Sequence, residues 1–149
     1  PNISKPFVMT QMRSNLVVAD QASGQFSIAE QASGKVMRSF SLESAPEIEF
    51  LRNKNKEFAQ GSQPNQVVNL VNSIAADDTD RLYALLSPVS KRDGATVVRM
   101  DSAGRLDRIF RCRQPEASQI NPRRIQVSDG YLWLAGQDGL VAAYPLGAK

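Results

Sequence analysis

Six cations in the second half of the chain, Lys91, Arg92, Arg111, Arg113, Arg123 and Arg124, fall into three close pairs. A guanidinium is a planar fork of N–H donors that matches a carboxylate or a phosphate, and neighbouring cations add their fields. The chemistry these residues suit is therefore the holding of an anionic partner. Carboxylates gather elsewhere, at Asp77, Asp78, Asp80, Asp101 and Asp129. The 149 residues contain no histidine, which removes imidazole as general base, as triad member and as metal ligand. Cys112 is the only cysteine, so one chain forms neither an internal disulfide nor a cysteine-based zinc cage. Carboxylate-pair chemistry stays open, because convergence in space cannot be read from spacing. The balance leans away from an enzyme, and no catalytic residue, metal ligand or cofactor is assigned.

The elements that must position these cations are short strands. Apolar and polar residues alternate in brief segments broken by Gly, Asp, Ser and Asn, and helical spacing is nearly absent. Leu16 to Ala19, Phe26 to Ala29 and Val36 to Phe40 are separated by two copies of Gln-Ala-Ser-Gly, at 21–24 and 31–34, which makes a meander with tight turns. The pattern returns in Ile74 to Asp77, Leu82 to Leu86, Thr96 to Asp101 and Leu106 to Phe110, and again in Ile125 to Asp129, Tyr131 to Ala135 and Leu140 to Tyr144. In the alignment of the three copies, Leu16, Leu82 and Leu132 share one position. Leu16, Val18, Ile28, Ile74, Leu82, Leu106, Ile109, Phe110, Ile125, Val127, Leu132 and Leu134 are the expected core, with Trp133 turned across an interface between sheets.

The segment from Ile74 to Phe110 reads Ile-Ala-x-Asp-x-x-x-x-Leu-Tyr followed by Val-x-x-Asp-x-x-Gly-x-Leu-x-x-x-Phe. It resembles a blade of the NHL-type, six-bladed β-propeller repeat family; the third copy is similar, and the first departs from it where Phe7-Val8-Met9-Thr10 replaces the Ile-Ala-x-Asp strand. The resemblance implies an all-β fold of consecutive four-stranded antiparallel meander blades, at about 6–42, 66–112 and 122–146, in a single partial propeller domain over 1–149. A β-sandwich built of meanders is the alternative. Two enzyme classes are similar in blade pattern. The amidating-lyase type depends on histidine ligands, and none is present. The gluconolactonase type places Glu, Asn and Asp around a central cation; Glu30, Asn72 and Asp77 have the right types, but no family motif surrounds them and turn roles suit them.

One segment breaks the β pattern. Ser44 and Glu47 have capping-box spacing, Pro46 suits a first turn and Gly61 a C-terminal stop, so a helix near 46–59 is expected within an insertion at 44–61, lidding the end of a blade. Closure is the remaining problem. Three copies, the last with only about three strands, leave open sheet edges at both ends, and such edges recruit further strands. Another copy of this chain or further blades of the same parent chain should cover them. The start at Pro1 rather than Met fits a processed or truncated chain, which leaves a periplasmic or secreted location open after removal of an N-terminal segment. No apolar run is long enough to span a membrane.

In a four-stranded meander, second-to-third loops and blade-to-blade connections leave on one face and the other loops on the opposite one. That rule sends Lys91, Arg92, Arg111, Arg113, Arg123 and Arg124 to one face and the five aspartates to the other. The function expected is a non-catalytic binding or protein-interaction propeller segment whose basic face takes an anionic protein or glycan. Nucleic acid is disfavoured, since net charge is only +3 and the aromatics lie mainly in strands. The alternative is a hydrolase or lyase whose carboxylate or metal site is completed by missing blades.

Overall fold

A computed structural model describes residues 7–62, 65–88, 94–112, 121–136 and 139–147. Three antiparallel meanders follow one another. The first contains β1 (Phe7–Met12), β2 (Asn15–Asp20), β3 (Gln25–Glu30) and β4 (Val36–Ser41). After helix α1 (Pro46–Gln60) comes the second, with β5 (Val71–Ala76), β6 (Leu82–Leu86), β7 (Ala95–Met100) and β8 (Leu106–Cys112). The third has β9 (Pro122–Ser128), β10 (Tyr131–Gly136) and β11 (Val141–Pro145). Within each sheet, sequence neighbours are spatial neighbours. Successive sheets meet along their first strands, β1 against β5 and β5 against β9, which is the arrangement of propeller blades rather than of two sheets packed face to face.

Side chains alternate across each sheet, and the middle sheet is covered on both faces. Leu82, Ala84 and Leu86 of β6 join Val17, Phe26 and Ile28 in one core cluster, while Tyr83 and Leu85 join Ile125, Leu132 and Leu134 in another. This explains why Leu82-Tyr83-Ala84-Leu85-Leu86 is a continuous apolar run: a strand buried on both sides needs no polar face. The expected core holds at Ile28, Ile74, Leu82, Ile125, Leu132 and Leu134. It fails at Leu16 and Val18, which are half-buried, whereas Val17 and Ala19 are sealed. Asn15-Leu16-Val17-Val18-Ala19 is apolar on both faces, so its composition does not say which face meets the neighbouring sheet. Leu106, Ile109, Phe110 and Val127 are also only half-buried, the first three because β8 is an outer strand.

The helix forms where its apolar spacing indicates, but its start differs from the capping box. Ala45 is the N-cap, no side chain caps the turn, and Ser44 Oγ donates instead to Glu49 Oε1 at 2.9 Å. Pro46 takes the first turn, where its missing N–H costs no helical bond. Ile48 and Leu51 enter the first core cluster. Arg52 Nη2 donates to the carbonyl of Leu42 at 2.8 Å, and Asn55 both donates to and accepts from the Val68 backbone, at 2.9 and 2.7 Å. These bonds tie the helix down on both sides, so it serves packing. Among the described residues no helix is long and apolar enough to cross a membrane.

Candidate functional site

The starting ends of the three first strands come together with the turn between β2 and β3. Gln21 organises the junction: its carbonyl accepts the amides of Leu70 at 2.7 Å and Val71 at 3.1 Å, and its Nε2 donates to the carbonyl of Asn72 at 3.3 Å. Ser87 Oγ donates to Asn72 Oδ1 at 3.1 Å, and Ser73 Oγ accepts the amide of Ile125 at 3.2 Å, linking the second and third sheets. Around this junction lies an open pocket of about 490 Å³ lined by Phe7, Val8, Met9, Gln21, Asn72, Ser73, Ile74, Arg123 and Arg124. Its floor is formed by first strands, and its polar groups are amides, a hydroxyl and two guanidiniums.

Of the six predicted cations, Arg123 and Arg124 are exposed and line this pocket. Among the described residues neither has a salt bridge or a hydrogen-bond partner, while every other described arginine holds a carboxylate or a carbonyl. Arg111 lies at the same end of its sheet but is not available. Its Nε and Nη2 are each 2.8 Å from Glu47 Oε1, which fastens β8 to α1. Arg111 is therefore a structural anchor, a role hidden in the sequence because its partner is 64 residues away. Lys91, Arg92 and Arg113 lie outside the described residues.

The opposite end is held by charge pairs and turn bonds. Arg13 meets Asp80 at 3.0 Å and donates to the carbonyl of Asp78, joining the first sheet to the second, and Arg38 donates to the carbonyl of Ser102. A second pocket of about 410 Å³ sits there, but its cations, Arg13 and Arg38, are the ones already engaged. Asp77 builds the turn after β5. Its Oδ1 accepts the Thr79 amide, the Thr79 hydroxyl and the Arg81 amide at 2.9, 2.7 and 3.0 Å, and its Oδ2 accepts the Tyr83 hydroxyl at 2.9 Å. Burial pushes this carboxyl up, but those bonds outweigh it and hold the group below its ordinary value. Asp101 repeats the device after β7, accepting the amides of Ala103 and Arg105.

Glu30, Asn72 and Asp77 do not converge. Asn72 is the second residue of β5 and Asp77 follows that strand's other end, roughly 17 Å away at a strand's rise per residue. Glu30 closes β3 and accepts the Ser33 hydroxyl in the next turn. Among the described residues no group of three or more His, Cys, Asp or Glu is placed to hold a metal ion.

Gln21, Asn72 and Ser73 are uncharged, so the search for cations passes over them. The signal was present in the loop rule, which sends the second-to-third turn and the blade connections to one end, but it acts on uncharged groups as well as on cations.

No family model matches the chain, and no curated protein matches it. Solved structures do. Sqt1 of Saccharomyces cerevisiae is similar over 96% of this chain and 34% of its own, with TM-score 0.56 and 10% identity. U3-55K is similar over 98% and 38%, with TM-score 0.56 and 8% identity. A chain of a mitotic checkpoint complex is similar over 94% and 37%, with TM-score 0.52 and 9% identity. At such identities the likeness is one of fold. The chain has a propeller-type repeat fold and spans little more than a third of the length of these chains.

Proposed function

We propose that this chain is a non-catalytic binding segment of a propeller, NHL-type in its blade pattern, whose loop end takes an acidic segment of a partner protein at the pocket bearing Arg123 and Arg124. The observation that carries the proposal is their lack of any partner among the described residues, while the other described arginines are engaged. Two guanidiniums without a partner among the described residues, beside the amides of Gln21 and Asn72, supply donors for carboxylates, and an open pocket admits an extended chain. That one similar chain comes from a mitotic checkpoint complex agrees with a role in protein assemblies.

The test is titration of a fluorescent Glu/Asp-rich peptide, with heparin as a second arm. Exposed ion pairs contribute about 0.2–1 kcal/mol each, so Arg123→Ser/Arg124→Ser should weaken peptide binding roughly 2- to 30-fold. Binding should also fall as salt rises, since screening acts over about 8 Å at physiological ionic strength. Equal affinity of variant and parent overturns the proposal. Binding of heparin alone assigns the site to a sulfated glycan instead.

A further inference from the structure

Two sheet faces lack a neighbour among the described residues, and each exposes large apolar side chains among polar ones. On the first sheet, Phe7 and Met9 of β1 stand opposite Asp20 and Val18 of β2, on the side away from the core. On the third sheet, Tyr131 and Trp133 of β10 occupy the corresponding outer side, with Val141 of β11.

The repeat says what covers them. Aligning Leu16 with Leu82 and Leu132 fixes every other position through the strand pairing. Met9 faces Val18, Ile74 faces Ala84 and Ile125 faces Leu134, each two residues beyond the aligned leucine, so Met9, Ile74 and Ile125 are equivalent. All three lie on the face that, in the second and third sheets, meets the preceding sheet. Ile74 and Ile125 are 5% and 7% exposed because a sheet precedes them, whereas Met9 is 57% exposed. Likewise Val17, Tyr83 and Trp133 each follow the aligned leucine and lie on the face that, in the first and second sheets, meets the next sheet. Val17 and Tyr83 are 0% and 1% exposed, and Trp133 is 39% exposed. The outer face of the first sheet is thus an acceptor of the kind the second and third sheets already use, and the outer face of the third is the matching donor.

We infer that a second copy of this chain docks head to tail, the Trp133 face of one copy on the Met9–Val18 face of the other, repeating the joint made twice within the chain. The faces are unlike, so a joint of like on like does not reproduce it. Each copy keeps one face of each kind, which allows closure into a ring.

The experiment uses sedimentation of the 149-residue chain across micromolar concentrations and the fluorescence of its single tryptophan. The parent should sediment above the 16.4 kDa of one chain. Trp133→Glu and Val18→Glu each spoil one half of the joint and should weaken association by more than about 30-fold, as for a charge placed at the centre of an interface. Mixed in equal amounts they should form a one-to-one pair and nothing larger, through the intact Trp133 face of the Val18→Glu chain. Only that chain carries tryptophan, so its emission should shift to the blue on mixing. A parent that stays monomeric overturns the inference, as does a parent that associates while the mixed variants do not. If either variant loses its β-type circular dichroism, Val141→Glu and Met9→Glu, at positions 59% and 57% exposed, take their places, with the same outcomes expected in sedimentation.

Discussion

Gly104 sits in the turn between β7 and β8, with φ of +85°, and a methyl group added there would lie 2.4 Å from Cδ2 and 2.5 Å from Cγ of Phe40. Phe40 belongs to β4 of the preceding sheet and stacks on Phe26, ring centres 5.2 Å apart and 4° from parallel, so it has little room to withdraw. Gly104→Ala therefore meets two costs. The left-handed backbone costs a residue with a Cβ about 1–2 kcal/mol. Forcing carbon into a packed ring adds about 1–3 kcal/mol. A loss of about 2–5 kcal/mol in urea melts is expected. Gly34 provides the control, with φ of +70° in the aligned turn and nothing within 4 Å of an added methyl, so Gly34→Ala should lose only the backbone part, about 1–2 kcal/mol. Adding Phe40→Ala to Gly104→Ala should recover the contact part, a coupling of about 1–3 kcal/mol in a double-mutant cycle. Equal losses for Gly104→Ala and Gly34→Ala, or no coupling to Phe40, would refute the seating of this turn against the first sheet.

Other outcomes follow from the same packing. Leu82→Ala should cost about 2–5 kcal/mol, because Leu82 is sealed between two sheets, and Leu16→Ala clearly less in the same melts. Cys112 is buried, which pushes its thiol up to about 11, so iodoacetamide should label it only on unfolding; labelling of the native chain at neutral pH would contradict its burial. Asp77→Asn should destabilise the chain at neutral pH. Because the folded Asp77 titrates below its ordinary value, its contribution is complete above the ordinary carboxylate range and fades as pH falls through the folded value. The gap in melting temperature between parent and variant should accordingly narrow in acid, and a gap that is constant with pH would count against the ionised acceptor.

The blades were legible because each contains signals that act locally. Asp20, Asp77 and Asp101 sit where a carboxylate takes up the amides of its own turn, and Gly24, Asp80 and Gly104 supply the positive φ in those turns. What was not legible depends on distant chain. Leu16 and Val18 carry the same apolar signal as Leu82 and Ala84, yet are less buried, because burial depends on whether another sheet lies against them. Ser44 has the spacing of a cap, but its hydroxyl is drawn to Glu49, and Ala45 takes the cap position.

Charge follows the same logic. An arginine in sequence is only a cation; it becomes an anchor when a carboxylate reaches it. Arg111 is reached by Glu47 because α1 follows β4 and lies beside β8, although nothing near Arg111 in sequence announces it. At the start of β9 the surrounding turn and strand ends offer Gln21, Asn72 and Ser73, which are neutral, so no acid within the described pocket lining discharges Arg123 and Arg124. Neutral amides satisfy one another without competing for the guanidiniums, as the Gln21–Asn72 and Asn72–Ser87 bonds show. A pocket built this way keeps its positive field while its walls stay bonded, which is the condition the proposed anionic partner needs.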